Sequence, residues 1–349
     1  MSESLNKKKV IIYIVIGVLL VIGSFAAIII YKEFSRPIVE LSDREYVDIY
    51  IPTGSNFDDV NSLLEEQHII TDDKVFNMLA EKKNYVERVK PGKYRITNHL
   101  TANQLINKLR SGDQIPVRFT FNNIRFVDKL AGLASKKMEL DSTELSNLFH
   151  DDAYLKQFGF NHQTIIGMFI PNTYEFYWNT SAEQFMQRMY IEYNKFWNSE
   201  RKEKAAQAEM SIIDVSILAS IVQEETNRKD EMSKIAGVYI NRLHRGMLLQ
   251  ADPTARFAYG DFSIKRVNYD YLKMDSPYNT YIYSGLPPGP ICMPNPNTID
   301  KVLNYEKHNY LFFCAKPDNT GYHVFARTNV EHSRNAMAYH RYLNKHRIR

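Results

Sequence analysis

Glycine and cysteine are scarce in this chain of 349 residues. It contains 14 glycines and only two cysteines, Cys292 and Cys314. Little glycine and no low-complexity tract argue against a fibrous or disordered protein, and two cysteines are too few for a disulfide framework. In an exported protein the two would pair only if their Cα atoms came within ~7 Å, and otherwise they would be separate thiols.

An excess of charge of one sign is also missing. The 44 lysines and arginines nearly balance the 40 aspartates and glutamates, which leaves a net charge of +4, and both signs are interspersed. This pattern gives no sign of nucleic-acid binding. The sequence also lacks a glycine-rich phosphate loop, a serine in a nucleophile elbow and the ligand spacing of a metal site. We expect neither a cofactor nor a metal.

One long hydrophobic run lies near the start of the chain. Residues 10–31 include no charged residue, and a helix of that length crosses ~30 Å of hydrocarbon. Three lysines precede the run, which predicts a cytoplasmic tail over residues 1–9 and an exported body. The alternative is a signal peptide cleaved near Ser24 and Ala26, which would leave three isoleucines at the new terminus. We therefore predict an uncleaved signal anchor, followed by a polar tether over residues 32–45.

Residues 46–122 have the pattern of a small α+β module. Strand patterns at residues 47–51 and 93–96 enclose two helix patterns, which begin near Asn56 and Thr71. A LysM-like carbohydrate-binding module has this strand–helix–helix–strand order, but so do many other small α+β units. A spacer that holds the rest of the chain off the membrane is the alternative.

The rest of the chain, residues 123–349, is predicted to be mainly helical. The pattern predicts a long helix from Ser181 to about Met210, a helix that starts at Thr298 and a final helix after Thr328. An aromatic-rich strand is expected around residues 169–176. A pair of strands is expected at residues 310–315 and 321–325, which would give the domain a short β-sheet.

The strongest chemical signal is a glutamate at the end of an apolar helix. At helical spacing Glu225 continues the face formed by four aliphatic residues, whereas Glu224 points away and Gln223 lies on the flank. The aliphatic residues are Val215, Leu218, Ile221 and Val222. A carboxyl group on a buried face tends to stay protonated near neutral pH, which is the state that a general acid needs. The alternative is a frayed helix end at which Glu225 pairs with Arg228 or Lys229.

The segment after the next predicted helix supplies further polar groups. Asp252 followed by Pro253 is typical of an N-cap with proline at the first helical position. Gln250, Asp252 and Thr254 are predicted to line a groove facing Glu225. The simpler interpretation is that Asp252 only caps the helix. Both interpretations are compatible, because a capping aspartate is held in place.

Four runs of sequence resemble the YceG-like endolytic murein transglycosylases, the MltG family, in the order and spacing of that family. They are residues 218–226, 241–254, 278–281 and 285–291. The resemblance implies an α+β chain with an N-terminal transmembrane helix, a LysM-like module at 46–122 and a mainly helical YceG-like catalytic domain at 123–349. This chain departs from the family at Gln223, where a second glutamate is frequent, at Asn172, where aspartate is usual, and after Ile291.

The resemblance implies a membrane-anchored lytic transglycosylase that cuts peptidoglycan strands internally. Glu225 would protonate the oxygen between N-acetylmuramic acid and N-acetylglucosamine. The ionised group would then take the proton of the muramoyl 6-hydroxyl, which closes onto C1 as a 1,6-anhydro ring. The expected substrate-binding residues are Gln250, Asp252, Thr254, Tyr278, Asn279, Tyr281 and His323. The enzyme would terminate nascent strands on the extracytoplasmic side of the cell membrane, beside penicillin-binding peptidoglycan synthases.

Two alternatives remain open from the sequence. A muramidase would use the same acid with water as the nucleophile and release a reducing end. A non-catalytic cell-wall-binding or division-scaffold protein would keep the fold without the reaction, and the departures at Gln223 and Asn172 keep that possibility open. His323, as a lone histidine, could equally be an ordinary hydrogen-bonded residue.

Overall fold

The computed structural model describes residues 2–262 and 269–346. The chain begins with a long helix, α1 (Ser2–Ser35), whose apolar stretch is Tyr13–Phe25. Within the described residues, no helix alone combines the length and apolarity needed to cross a membrane. The helices Ser199–Gln207 and Ile212–Glu225 meet that test only as a pair, across an 80° bend.

The contacts divide the chain into two compact units. The first comprises Met1–Val117 together with Glu175–Asn179, and the second comprises Arg118–Tyr174 together with Thr180–Arg349. After α1, the first unit contains β1 (Tyr46–Ile51), α2 (Phe57–Glu66), α3 (Asp73–Lys82), β2 (Gly92–Thr97) and α4 (Ala102–Ser111). β1 and β2 pair antiparallel, from Tyr46 opposite Thr97 to Ile51 opposite Gly92. The predicted strand–helix–helix–strand order is therefore present.

Local capping signals set the helix starts of the first unit. Asn56 caps α2, as predicted, and forms a reciprocal capping box with Asp59. The cap of α3 was predicted one residue too early. Asp72 caps this helix by accepting from the Val75 N–H at 3.0 Å, whereas the Thr71 hydroxyl donates to the Ile38 carbonyl at 3.2 Å.

Most of the second unit is helical. Its helices are α5 (Val127–Ala134), α6 (Ser142–His150), α7 (Asp152–Leu155), α8 (Ala182–Phe196), α9 (Ser199–Gln207), α10 (Ile212–Glu225), α11 (Met232–His244), α12 (Asp252–Tyr259), α13 (Tyr269–Leu272), α14 (Pro296–Leu303) and α15 (Asn329–Lys345). Two further small sheets are present, in which β3 (Val117–Phe121) pairs with β4 (Asn172–Phe176) and β5 (Phe312–Ala315) pairs with β6 (His323–Ala326).

The central element of this unit is α10. Every residue from Val215 to Val222 is buried, and the helix packs against α11, α12 and α14. The prediction of an apolar stripe on one face was therefore too narrow, because α10 is enclosed on all sides. Its buried serines are satisfied locally, since Ser216 and Ser220 donate to backbone carbonyls of the same helix at 2.9 and 2.7 Å.

Two predicted helices differ from the structure. The helix expected from Ser181 to about Met210 is divided into α8 and α9, because Trp197 is buried at the break and Asn198 starts a new helix by accepting from the Arg201 N–H at 3.0 Å. Ser181 caps α8 as predicted. Helix α14 begins two residues before Thr298, whose hydroxyl is instead hydrogen-bonded to a side chain of α10.

Candidate active site

Glu225 is the last residue of α10. The next residue, Thr226, is extended and buried, and its hydroxyl accepts from the backbone N–H of Arg228 at 2.9 Å. The Arg228 guanidinium donates to the Thr320 carbonyl and lies 4.7 Å from the centre of the Tyr322 ring. Arg228 therefore turns away, and the interpretation of Glu225 as its ion-pair partner is wrong.

The two polar residues before Glu225 point elsewhere. Gln223 donates to the Met293 carbonyl at 3.1 Å and accepts from the Asn295 N–H at 2.7 Å, so it ties α10 to the loop before α14. A carboxylate accepts but does not donate, so it could not make both bonds. Glu224 pairs with the Arg125 guanidinium at 2.5 Å. Of Gln223, Glu224 and Glu225, only Glu225 is therefore available as a candidate catalytic group.

The Glu225 carboxyl lies at the wall of a cavity of about 490 Å³. The whole residue is half-buried, yet protein surrounds its carboxyl closely enough that burial raises the pKa to about 7. The Tyr239 hydroxyl, which donates to Oε1, opposes this rise, and the negative charge of Asp252 adds to it. The carboxyl therefore keeps its proton up to about neutral pH, as a general acid requires.

Helix α11 contributes two groups that the sequence analysis did not identify. Tyr239 and Arg242 lie one turn apart, both are buried, and both line the cavity. The Arg242 guanidinium donates to the carbonyls of Leu249 and Leu311, each at 2.6 Å. These bonds connect α11 with the residue before β5 and with the loop before α12. The positive charge of Arg242 also limits the rise in the Glu225 pKa.

Two threonines fix the loop that precedes α12. The Gln250 N–H donates to the Thr280 carbonyl at 3.0 Å, and the hydroxyls of Thr254 and Thr280 lie 2.7 Å apart. Gln250 has a left-handed backbone with φ of 48°. Gln250 and Asp252 line the cavity, as expected, whereas Thr254 is completely buried. We assign Thr254 to the framework of the site.

Asp252 is placed differently from the prediction. It is the first residue of α12, preceded by Ala251, so Pro253 occupies the second position, and the carboxylate does not cap the helix. Instead, one of its oxygens accepts a hydrogen bond from the Tyr281 hydroxyl. Burial is the largest cause that raises the Tyr281 pKa, so this hydroxyl keeps its proton for the bond. Asp252 and Tyr281 form one wall of the cavity.

Tyr278 and Asn279 lie outside the cavity wall. The Tyr278 ring packs on Phe257 with a centroid distance of 4.7 Å. Its hydroxyl lies close to Gly289, where an added Cβ atom would be 3.1 Å from that hydroxyl and 2.0 Å from the Gln163 carbonyl oxygen. Asn279 is completely buried and donates to the Met274 carbonyl at 2.8 Å. These contacts position the turn that carries Tyr281.

His323, at the start of β6, lines the cavity. Its backbone N–H and its ring Nδ1 both meet the Glu231 carboxylate, at 3.1 and 3.0 Å. Because a carboxylate only accepts, Nδ1 carries the hydrogen. A second hollow of about 460 Å³ shares Glu225, Ala315 and His323 with the first. Glu225 and His323 thus stand where the two hollows meet.

The two cysteines are both free. Cys292 is buried beside the backbone carbonyl of Ser220 at 3.7 Å, and burial raises the pKa of its thiol. Cys314 lies in β5 on the wall of the cavity. The alternative of two separate thiols therefore applies in this structure.

Known proteins have sequences similar to this one. The profile of the YceG-like family matches residues 49–338. An endolytic murein transglycosylase of Bacillus subtilis (strain 168) is 29% identical over 331 residues, which cover 90% of each chain. An endolytic murein transglycosylase of Streptococcus pneumoniae (strain R6) is 26% identical over 85% of this chain. The match covers only 59% of the pneumococcal protein's own length.

A solved structure agrees with the sequence comparison. The crystal structure of a yceG-like protein from Listeria monocytogenes superimposes with a TM-score of 0.55, is 26% identical, and covers 83% of this chain and 98% of its own. The two chains therefore share their fold. The family profile also spans most of the present chain, which therefore belongs to the YceG-like family.

Proposed function

We propose that this protein is an endolytic murein transglycosylase. It cleaves peptidoglycan strands between N-acetylmuramic acid and N-acetylglucosamine, forms a 1,6-anhydro end and thereby terminates strand elongation. The observation that carries this proposal is the Glu225 carboxyl, which has a pKa of about 7 and lies on an open cavity. The relatives from Bacillus subtilis and Streptococcus pneumoniae bear this enzyme name, and their similarity extends over most of the chain.

Glu225 serves first as the acid and then as the base. Its proton passes to the glycosidic oxygen as the bond from C1 to that oxygen breaks. The 6-hydroxyl of the muramoyl residue then bonds to C1, and its proton returns to the Glu225 carboxylate. The attacking oxygen belongs to the substrate, so proximity lowers the barrier and no second carboxylate is needed. The carboxyl is restored at the end of each cycle.

The position of Glu225 supports cleavage within a strand. A strand that is cut internally has sugars on both sides of the scissile bond, and the two hollows meet at Glu225, Ala315 and His323. We propose that Gln250, Asp252, Tyr281 and His323 contact the sugars directly. Thr254 and Asn279 hold the segments that carry these residues, and Tyr278 packs beside the adjoining turn.

The product distinguishes this lyase from a muramidase. Asp252 is a second carboxylate in the cavity, as a hydrolase would require, but it already accepts a bond from Tyr281. We expect mass spectrometry of purified glycan strands treated with the full chain to show 1,6-anhydro-muramoyl ends. Reducing ends in their place would indicate hydrolysis, and unchanged strands would favour a non-catalytic scaffold.

His323→Ala is expected to weaken substrate binding more than catalysis. Glu231 occupies Nδ1, and Nε2 has no hydrogen-bond partner in residues 2–262 and 269–346, so Nε2 is available to a hydroxyl or amide of the strand. Loss of one such bond corresponds to a rise in KM of about 10-fold. Steady-state kinetics on glycan strands would measure it, with the exposed His340→Ala as the matched control. A normal KM would remove His323 from the binding residues.

We also propose that the enzyme acts at the membrane. The sequence supports an anchor at residues 10–31 with residues 1–9 in the cytoplasm, a tether at 32–45, and a LysM-like module at 46–122 that binds glycan or acts as a spacer. The catalytic domain would then work on the extracytoplasmic side, beside penicillin-binding synthases. Membrane fractionation and protease accessibility of the full chain test the anchor, and crosslinking in cells tests the partnership.

A further inference from the structure

Among the described residues the hydroxyl of Tyr239 has one partner, the Oε1 atom of Glu225. Tyr239 is 1% exposed, and within the described chain its hydroxyl has no other acceptor. A buried hydroxyl that has a single neighbour of this kind donates its hydrogen to it. The bond therefore has a fixed direction, from Tyr239 to Oε1.

This direction decides which oxygen of the acid carries the proton. A protonated carboxyl has one acceptor oxygen and one hydroxyl oxygen. Because Oε1 accepts from Tyr239, the proton belongs on Oε2. Oε2 has no hydrogen-bond partner among the residues of the described ranges and is not fully buried there, and Glu225 lines the cavity. The proton is thus on the oxygen that a substrate can reach.

The packing around Tyr239 fixes its hydroxyl in place. Its ring meets Phe313 edge-on at 5.8 Å, and Arg242, one turn further along α11, is bound to three backbone carbonyls. The other titratable or charged groups around the Glu225 carboxyl are Asp252 and Arg256 from α12, Tyr281, Cys314 from β5, His323 from β6 and His332 from α15. None of these donates a hydrogen bond to Glu225 within the described residues.

We infer that Tyr239 is the positioning residue of the reaction, which holds the transferable proton on Oε2 of Glu225 and stabilises the carboxylate left after the transfer. The inference rests on the proposed function, and it adds a role for a residue that need not touch the substrate. The bond to Oε1 persists through the cycle, so the carboxylate has Oε2 ready to accept the proton of the 6-hydroxyl.

Tyr239→Phe tests this inference on the full chain with purified glycan strands. We expect kcat to fall about 10- to 100-fold, because Glu225 becomes a weaker acid and its proton is no longer confined to Oε2, while KM stays within about 2-fold. Removal of a donor to the charged form raises the pKa of Glu225, so the alkaline limb of the rate profile should move up by about one pH unit.

Tyr193→Phe is the matched control. Tyr193 is also a buried tyrosine, but its hydroxyl lacks a partner in the described residues, so its removal should leave kcat and the alkaline limb unchanged. A thermal melt of each variant reports folding. If Tyr239→Phe is poorly folded, infrared spectroscopy of the unsubstituted protein provides the test. The carboxyl band of Glu225 is assigned by its loss in Glu225→Gln, and it should have the frequency of a hydrogen-bonded carbonyl.

The outcomes separate this inference from the proposed function. An unshifted alkaline limb with kcat within about 2-fold of the parent, or a free carbonyl band, would overturn the role of Tyr239 alone. Release of anhydro ends by Glu225→Gln would overturn the proposed function itself. A shifted limb with reduced kcat and normal KM, absent in Tyr193→Phe, supports the role of Tyr239.

Discussion

Replacing Glu225 with glutamine is expected to reduce the release of anhydro ends by about 10²- to 10⁴-fold, the range typical of a general acid–base residue. The substitution is close to isosteric. The amide oxygen of glutamine can still accept from the Tyr239 hydroxyl, so the contact at Oε1 is retained. The amide cannot supply a proton to the glycosidic oxygen or recover one from the 6-hydroxyl. Mass spectrometry of strands digested by equal amounts of each protein measures the loss.

The adjacent glutamate provides a matched control. Glu224 is bound to Arg125 and to Asn123 at 2.5 and 2.9 Å, and it does not line the cavity of Glu225. Glu224→Gln should therefore retain cleavage within a few-fold, because it weakens a partly exposed pair. If Glu225→Gln releases anhydro ends at the rate of the parent, or if both variants lose activity equally, Glu225 is not the proton donor.

Local sequence signals predicted those parts of the fold that depend on neighbours in the chain. The caps at Asn56, Ser181 and Thr328 were found because a side chain and a backbone N–H only three residues away decide them. Glu225 was found for a related reason, since helical spacing places it beyond an apolar run. The errors at α3 and α12 are of one residue: Asp72 caps α3 in place of the adjacent Thr71, and α12 begins at Asp252 itself, after Ala251, which has no capping side chain.

The rest of the site depends on contacts between distant parts of the chain. Tyr239 and Arg242 look like ordinary helix residues until β5 and α10 pack against them. The bond between Glu231 and His323 joins residues 92 positions apart, so no local sequence pattern predicts it. Thr254 was expected in the groove because it follows Asp252, but its hydroxyl is needed to pair with Thr280. Family resemblance located the segments without showing which side chains face the cavity.

The same carboxyl should make the folded protein less stable as the pH rises. The pKa of Glu225 is about 7 in the folded state and near 4.5 for an unperturbed glutamate. Below pH 4.5 both states are protonated, and the group contributes nothing. Between pH 4.5 and 7 the unfolded chain loses the proton while the folded chain retains it, so ionisation favours unfolding. The loss levels off above pH 7 at about 3 kcal/mol.

Glu225→Gln isolates this contribution because an amide does not titrate in that range. The free energy of unfolding of parent and variant is measured in urea at pH 4 and at pH 8. The variant should gain stability relative to the parent by about 3 kcal/mol between pH 4 and pH 8. All other titrating groups cancel in this double difference. A site that holds a proton for transfer would thus be maintained at the expense of stability. A double difference near zero would mean that the carboxyl is well solvated. Burial would then not raise the pKa of Glu225, and the argument that it is protonated at neutral pH would fail.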